Sequence, residues 1–366
     1  MGFSCGFVGL PNVGKSTLFN ALCKGGAVAA NFPFCTIEPN TGIVPVPDTR
    51  LNKLGEIENS VKVVPTTLEF IDIAGLVEGA SQGQGLGNQF LGHIRSVDAV
   101  AHVVRLFQDG DVVHVSGDVD PCRDLELIRT ELMLADLEML DKKLVKSKKL
   151  MRMGDPEVVA ELKLAERFAK DLNDGIIPEF DRKDDKEVAI AHQLGLVCLM
   201  PSFVCANTDE EGIKEFGKSE DSIKLIEYAK EHNMEVIPVC AKLEEELGQM
   251  DDEEALMFME ELGINESGLS QVIHTGYKLL NYITFFTSGP TETRAWTVEA
   301  GTAAPQASAK IHTDMERGFI RMEVVSYEEL VEYGGWNAAK NAGKLRIEGK
   351  DYIVKDGDSV FIRFNV

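Results

Sequence analysis

The sequence has little from which to build a covalent or metal-held scaffold. Its seven cysteines (Cys5, Cys23, Cys35, Cys122, Cys198, Cys205 and Cys240) are scattered, odd in number and without a Cys-x-x-Cys pair. That excludes a disulfide framework and a zinc site and points to a reducing compartment. Histidine is scarce as well, at seven residues, and neither a Ser-His-Asp triad, a carboxylate dyad nor a metal-ligating histidine cluster is legible. Positive charge is in deficit: 37 Lys and Arg stand against 60 Asp and Glu, a net charge of −23. Such a surface repels nucleic-acid phosphate at long range, so DNA is not an expected partner and any RNA contact requires a local basic patch. No apolar run approaches membrane-spanning length, and Gly6 stands where an N-myristoylation signal after Met1-Gly2 would need Ser or Thr. The expected location is cytoplasmic, with no membrane partner. Internal repeats and low-complexity segments are also missing.

What is present is the composition of a soluble globular protein, 44% hydrophobic and 27% charged over 366 residues, a length that calls for two or three domains. Short apolar runs at 3–8, 67–71, 99–104, 202–206 and 236–239 each enter a polar or glycine-rich turn. They predict buried strands of a largely parallel α/β sheet with crossover helices. Between the third and fourth runs, Leu125, Ile128, Leu132, Ala135 and Met139 recur at helical spacing, and Leu137, Leu140 and Leu144 continue on a shifted seam. Gly154-Asp155-Pro156 breaks that pattern. Val158, Leu162, Ala165, Ala169 and Leu172 then form a second stripe, and together the two predict an antiparallel helical hairpin. After Gly276 the texture becomes strand-like at 283–286, 294–298, 352–354 and 360–364, with a helical stretch at 327–333. This reads as a compact α+β domain closing the chain.

The strongest local signal is Gly9-Leu10-Pro11-Asn12-Val13-Gly14-Lys15-Ser16-Thr17, a G-x-x-x-x-G-K-[ST] pattern directly after the first strand and directly before a helix. Glycines let backbone N–H groups wrap phosphate oxygens, and the helix N-terminus adds positive potential. Asn12, Val13, Gly14, Lys15, Ser16 and Thr17 are therefore expected to bind a nucleotide. Lys15 would reach the β- and γ-phosphates as a catalytic cation, and the Ser16 hydroxyl would ligate Mg²⁺. Asp72-Ile73-Ala74-Gly75 closes the second apolar run, where Asp72 would hold the Mg²⁺ shell and the Gly75 N–H would touch the γ-phosphate. Thr36, in the loop between the first helix and that strand, would complete the metal set; a plain surface threonine is the alternative.

Together with residues 31–40, Asp72 to Leu76, Gly83-Gln84-Gly85-Leu86-Gly87, residues 302–307 and residues 349–358, this pattern resembles the YchF subfamily of Obg-related P-loop proteins over the whole chain. The resemblance implies three parts. They are a P-loop G domain (1–121 and 199–276), a helical coiled-coil insertion (122–198) and a C-terminal α+β TGS domain (277–366).

Guanine-binding relatives read their base with Asn-Lys-x-Asp, whose Asp pairs with guanine N1–H and the N2 amine. Here the fourth strand delivers Asn207-Thr208-Asp209-Glu210, with Thr for Lys and Glu210 for the terminal Asp, which puts the bidentate guanine grip in doubt. The resemblance implies ATP, read by the Asn207 amide and the Thr208 backbone; GTP, with Asp209 as reader, is the competing assignment. Cys240-Ala241-Lys242 resembles a Ser-Ala-Lys base-supporting loop, or is simply a strand end. Leu76 replaces the Gln that orients water in many related GTPases and cannot hydrogen-bond, which implies slow hydrolysis. His114, or a K⁺ ion held by Asn12, is the candidate substitute, each weighed against a structural role. Lys142, Lys143, Lys146, Lys148, Lys149 and Arg152 cluster at the hairpin tip. This is a solvated face or, given the family's association with ribosomes, a patch for ribosomal RNA. Cys35, beside Phe34, is a buried hydrophobe or a redox-sensitive thiol.

Overall fold

The computed structural model describes residues 3–28, 40–73, 92–108, 118–147 and 155–365. Strand β1 (Phe3–Val8) is buried along its whole length, as a central parallel strand covered on both faces must be. It is followed by α1 (Lys15–Val28), β2 (Thr41–Pro45), α2 (Thr49–Ile57), β3 (Lys62–Val64), β4 (Thr67–Asp72), β5 (Ala99–Arg105), β6 (Ser202–Asn207) and β7 (Val236–Val239). The first sheet has the order β2-β4-β1-β5-β6-β7. β4, β1, β5, β6 and β7 run parallel, whereas β2 pairs antiparallel to β4. The five runs expected to be strands are all strands. β2 and β3 escaped the sequence reading because both are short, and β2 alternates burial instead of forming a continuous apolar run. Pro238 is accommodated because β7 is an edge strand, where a missing N–H costs no ladder bond.

Two long helices, α3 (Pro121–Ser147) and α4 (Pro156–Asn173), occupy the segment between β5 and β6. Asp155 caps α4 by accepting from the Glu157 N–H, with Pro156 at the first helical position, where its missing donor is harmless. Leu125, Ile128, Leu132 and Ala135 of α3 are buried against the sheet. Its later turns, through Leu137, Leu140 and Leu144, join Leu164, Ala165, Phe168 and Leu172 of α4 in a separate cluster. The shift of seam seen in the sequence is therefore a change of partner, from sheet to α4. Burying a side chain such as Phe168 contributes about 1.5–3 kcal/mol. No helix among the described residues is long and apolar enough to cross a membrane.

The chain closes in a second sheet, built from β8 (Tyr282–Thr287), β9 (Glu292–Glu299), β10 (Phe319–Ser326), β11 (Arg346–Glu348) and β12 (Asp358–Phe364). Its order is β11-β10-β12-β8-β9-β3. β3 comes from the front of the chain and lies parallel to β9, with Val63 opposite Thr293. The expected strand at 352–354 is corrected: Ile353 makes one isolated bridge to Ala303. Asp358 holds this stretch as a turn, accepting from the Lys355 N–H (2.9 Å) and the Tyr352 hydroxyl (2.7 Å). The helix Tyr327–Tyr333 forms as expected, opened by a Ser326–Glu329 capping box and closed by Gly334 in a left-handed conformation.

The two sheets are joined by α2 and β3. Leu51 and Leu54 of α2 share a core with Phe286, Ala295, Val325 and Leu330. Around that core, Arg50 pairs with Asp356 (2.6 Å), and Glu58 accepts from the Trp336 N–H (2.9 Å). Deeper in the joint the Tyr277 hydroxyl meets Thr297 and accepts from Thr284 (3.2 Å), while Thr297 meets Thr66 (2.7 Å). Removing one member of such a buried chain leaves neighbours short of a partner. Tyr277→Phe is expected to lower unfolding free energy by about 1–3 kcal/mol, read from the urea midpoint at unchanged slope. An unaltered midpoint would show that water satisfies these hydroxyls equally well.

Candidate nucleotide site

The turn between β1 and α1 sits at the carboxyl edge of the sheet, where an open α/β sheet offers its crevice. Gly14 adopts a φ of 88° and Asn12 one of 64°. A Cβ on Gly14 would stand 2.1 Å from the Asn207 amide nitrogen, so both conformation and space demand glycine there. Leu10, Pro11, Asn12 and Gly14 through Thr17 line a recess of about 410 Å³. Lys15 is 8% exposed, and its ammonium forms an ion pair with Asp72. The Ser16 hydroxyl donates to the other Asp72 oxygen at 2.9 Å. Register brings these groups together: β1 and β4 are parallel with Phe7 opposite Asp72, so both strands end at one edge. Asp72, far away in sequence, is thus brought beside Lys15 and Ser16. Ser16 and Asp72 offer two hard oxygens side by side, a donor set suited to Mg²⁺ completed by phosphate oxygens and water.

The base-side residues take more specific positions. Asn207, 3% exposed at the end of β6, donates from its amide to the Val13 carbonyl (2.9 Å) and accepts from the Ala241 N–H (3.2 Å). Its amide is first a tie between the phosphate loop and the loop after β7. The Thr208 N–H is committed to the Val239 carbonyl (2.8 Å), so of the Thr208 backbone assigned to the base it is the carbonyl that is left for that task. Asp209 caps the short helix Glu210–Lys214, accepting from the Gly212 N–H (2.8 Å), so its carboxylate is already engaged. Glu210 lies exposed in the first turn of that helix. Cys240 is 4% exposed and caps the helix Ala241–Leu247 through its sulfur, which accepts from the Leu243 N–H. Burial raises its thiol above the usual range. Thr36, Cys35, Gly75, Leu76 and His114 lie outside the described residues, as do Lys148, Lys149 and Arg152.

Two residues at this edge were missed in the sequence. Arg105 ends β5 opposite Asn207, 1% exposed, with Nε donating to the Phe107 carbonyl (3.0 Å). An arginine terminating an apolar run was the available signal. Glu244, 4% exposed, accepts from the Gly268 N–H (2.7 Å) and so fastens the base-side helix to the helix Gly268–Leu279. Nothing in its Glu-rich surroundings marked it.

The comparisons with known proteins bear on this geometry. A family model described as "50S ribosome-binding GTPase" matches residues 4–141. The YchF-GTPase_C model, described as a protein of unknown function, matches residues 282–365. The chain is 52% identical to the protein named ribosome-binding ATPase YchF from Escherichia coli O157:H7, covering 100% of both. It is 50% identical to its Bacillus subtilis counterpart, again over 100% of both. The chain belongs to the YchF family. A solved YchF structure, described as the YchF GTPase of Schizosaccharomyces pombe, matches with a TM-score of 0.87 at 38% identity, covering 99% of this chain and 97% of that one. The α/β P-loop fold and the presence of a C-terminal domain are thereby common to this chain and its relatives.

Two outcomes test the site as a YchF nucleotide crevice. Asn207→Ala cuts the tie between Val13 and Ala241, and ATP affinity by calorimetry should weaken about tenfold or more; unchanged affinity would remove the tie from the binding account. Glu244 carries a pH signature. Burial pushes its carboxyl from 4.5 up to about 7, the Gly268 and Leu269 N–H groups opposing this. The folded chain thus holds a proton that the unfolded chain releases, and the stability this contributes is present below about pH 4.5 and lost as pH rises through about 7. Glu244→Gln should flatten that portion of the stability profile, measured by urea unfolding from pH 4.5 to 7.5; an identical slope in both proteins would refute the assignment.

Proposed function

We propose that the protein is an Mg²⁺-dependent P-loop nucleoside triphosphatase that binds ATP and hydrolyses it slowly, acting as a ribosome-associated switch. The observation that supports this best is the convergence of Lys15, Ser16 and Asp72 at the mouth of the glycine-framed turn. In that reading Lys15 leaves Asp72 for the β- and γ-phosphates, and the N–H groups of residues 12–17 take the remaining oxygens. Ser16, Asp72 and Thr36 would hold Mg²⁺, which neutralises charge on the phosphate oxygens when bound. The Thr208 carbonyl is an acceptor that matches the exocyclic amine of adenine and offers nothing to a guanine O6. Engagement of Asp209 in its helix cap further weakens the guanine reading. The curated relatives are named ATPases, whereas the fission-yeast structure is described as a GTPase, so GTP is the second reading. Attack by water is assigned to orientation by His114, or by K⁺ at Asn12, in place of the side chain that Leu76 lacks.

The three-part division, with the helical segment 122–198 as a hairpin insertion and 277–366 as a TGS domain, belongs to the same proposal. So does the ribosome, which the relatives carry in their names. The helix tip supports an RNA contact less than its composition implied, because Lys142 pairs with Glu138 (2.5 Å) and Lys143 with Glu161. On the second sheet Arg363 lies over the exposed Phe361 ring at 4.4 Å, but it too is paired, with Glu323 (3.1 Å).

Titration calorimetry with ATP and GTP in Mg²⁺ should show tighter ATP binding, and phosphate release should be faster in K⁺ than in Na⁺. Lys15→Ala should abolish turnover. Equal affinities would remove the adenine reading, and turnover surviving Lys15→Ala would refute the site.

A further inference from the structure

A second cavity lies at the opposite edge of the first sheet, where β6 begins. It measures about 660 Å³, inside the range of about 300–1,000 Å³ typical of small-molecule sites. Roughly 17 Å of β6 separates it from Asn207, at about 3.3 Å per residue. Its walls include β5, α3, the connection after α4 and the turn at His232 to Met234 that precedes β7. His102 forms part of its floor and is 3% exposed, and its Nδ1 is buried without a hydrogen-bond partner among the described residues. A buried imidazole nitrogen left unpaired costs about 1–3 kcal/mol, a cost that a bound partner would relieve.

Charge decides what that partner is. Arg129 and Arg182 both line the cavity, against Glu179 as the one carboxylate among its described lining residues. Arg129 donates to the Tyr228 hydroxyl (3.1 Å) and rests over that ring. No carboxylate among the described residues pairs with either guanidinium, in a chain whose net charge is −23. Two guanidiniums facing one recess of so acidic a molecule make it a local positive focus. Burial and Arg129 hold the His102 imidazole down at about 4, so at neutral pH it adds a polar nitrogen and no charge. Met133, Phe180 and Met234 supply an adaptable apolar wall.

We infer that this cavity is a second binding site, for a small organic anion whose carboxylate or phosphate meets Arg129 and Arg182 and whose apolar body lies beside His102, Met133 and Phe180. Because its walls include both the sheet and the segment that follows α4, such a ligand fixes one to the other. The full chain is titrated with benzoate, phenyl phosphate, benzylamine and inorganic phosphate while the histidine ring signals are followed by NMR, the His102 signal being identified from His102→Gln. Benzoate or phenyl phosphate should move the His102 signal saturably at millimolar concentration. Arg182→Met, at an exposed position, and Arg129→Met should each weaken that response by about tenfold, on the scale of one charge-assisted hydrogen bond. ATP affinity should be unchanged in Arg182→Met, which separates this site from the nucleotide crevice. An equal response to benzylamine, an equal affinity for inorganic phosphate, a His102 signal that stays still, or a response that survives both arginine substitutions would each overturn the inference.

Discussion

Three loops that start at different strands meet on one buried residue, two on its side chain and one on its backbone. The Asn207 amide donates to the phosphate loop at Val13 and accepts from the base-side loop at Ala241, while the Asn207 carbonyl accepts from Leu106 beyond β5 (2.8 Å). A glycine at position 14 is what lets that amide come so close. A phosphate-binding turn is useful only when its N–H groups are aimed before the anion arrives, since reorganising them afterwards would consume the binding energy. The buried amide supplies that aim, and its low exposure makes each of its bonds hard for water to replace. Lys15, Ser16 and Asp72 then inherit their positions from strands whose register the same sheet has fixed.

How legible this was in the sequence follows from which forces act locally. The strands β1, β4, β5, β6 and β7 read directly, because a buried parallel strand is a continuous apolar run. The phosphate turn read directly too, since its glycines and Lys-Ser pair are a local requirement of the chemistry. β3 could not be read: three residues, one of them buried, become a strand only because β9 arrives from more than two hundred positions later. Tertiary pairing of that kind overrides any local pattern. The same holds for Glu244, whose character depends on a helix that begins at Gly268, beyond the intervening helix Asp252–Leu262. Tyr352 to Val354 shows the reverse error, a strand-like composition held as a turn by the carboxylate of Asp358.

The swapped position of β3 also says how the two halves of the chain work together. A strand given by the nucleotide-bearing half to the edge of the C-terminal sheet, backed by the core of Leu51, Leu54, Phe286 and Leu330, makes the joint hydrophobic and stiff. The hydroxyl chain from Thr66 through Thr297 and Tyr277 to Thr284 gives it a fixed register. β3 and β4 are separated by two residues, and β4 ends at Asp72. Asp72 and the C-terminal sheet are therefore connected through β4 and a two-residue link alone.

Electrostatics unify the two recesses. With sixty acidic side chains against thirty-seven basic ones, the exposed surface has little attraction for anions, and exposed ion pairs such as Lys142 with Glu138 contribute little. Cations that matter must be withdrawn from that surface into places of lower dielectric, where the same charge interacts several times more strongly. Lys15 is placed so at one edge of the sheet, and Arg129 beside His102 at the other. Each sits against the strands β1, β5 or β6, whose buried runs hold the geometry still. On so acidic an exterior, inward cations of this kind give small anions local places of attraction that the surface at large does not offer.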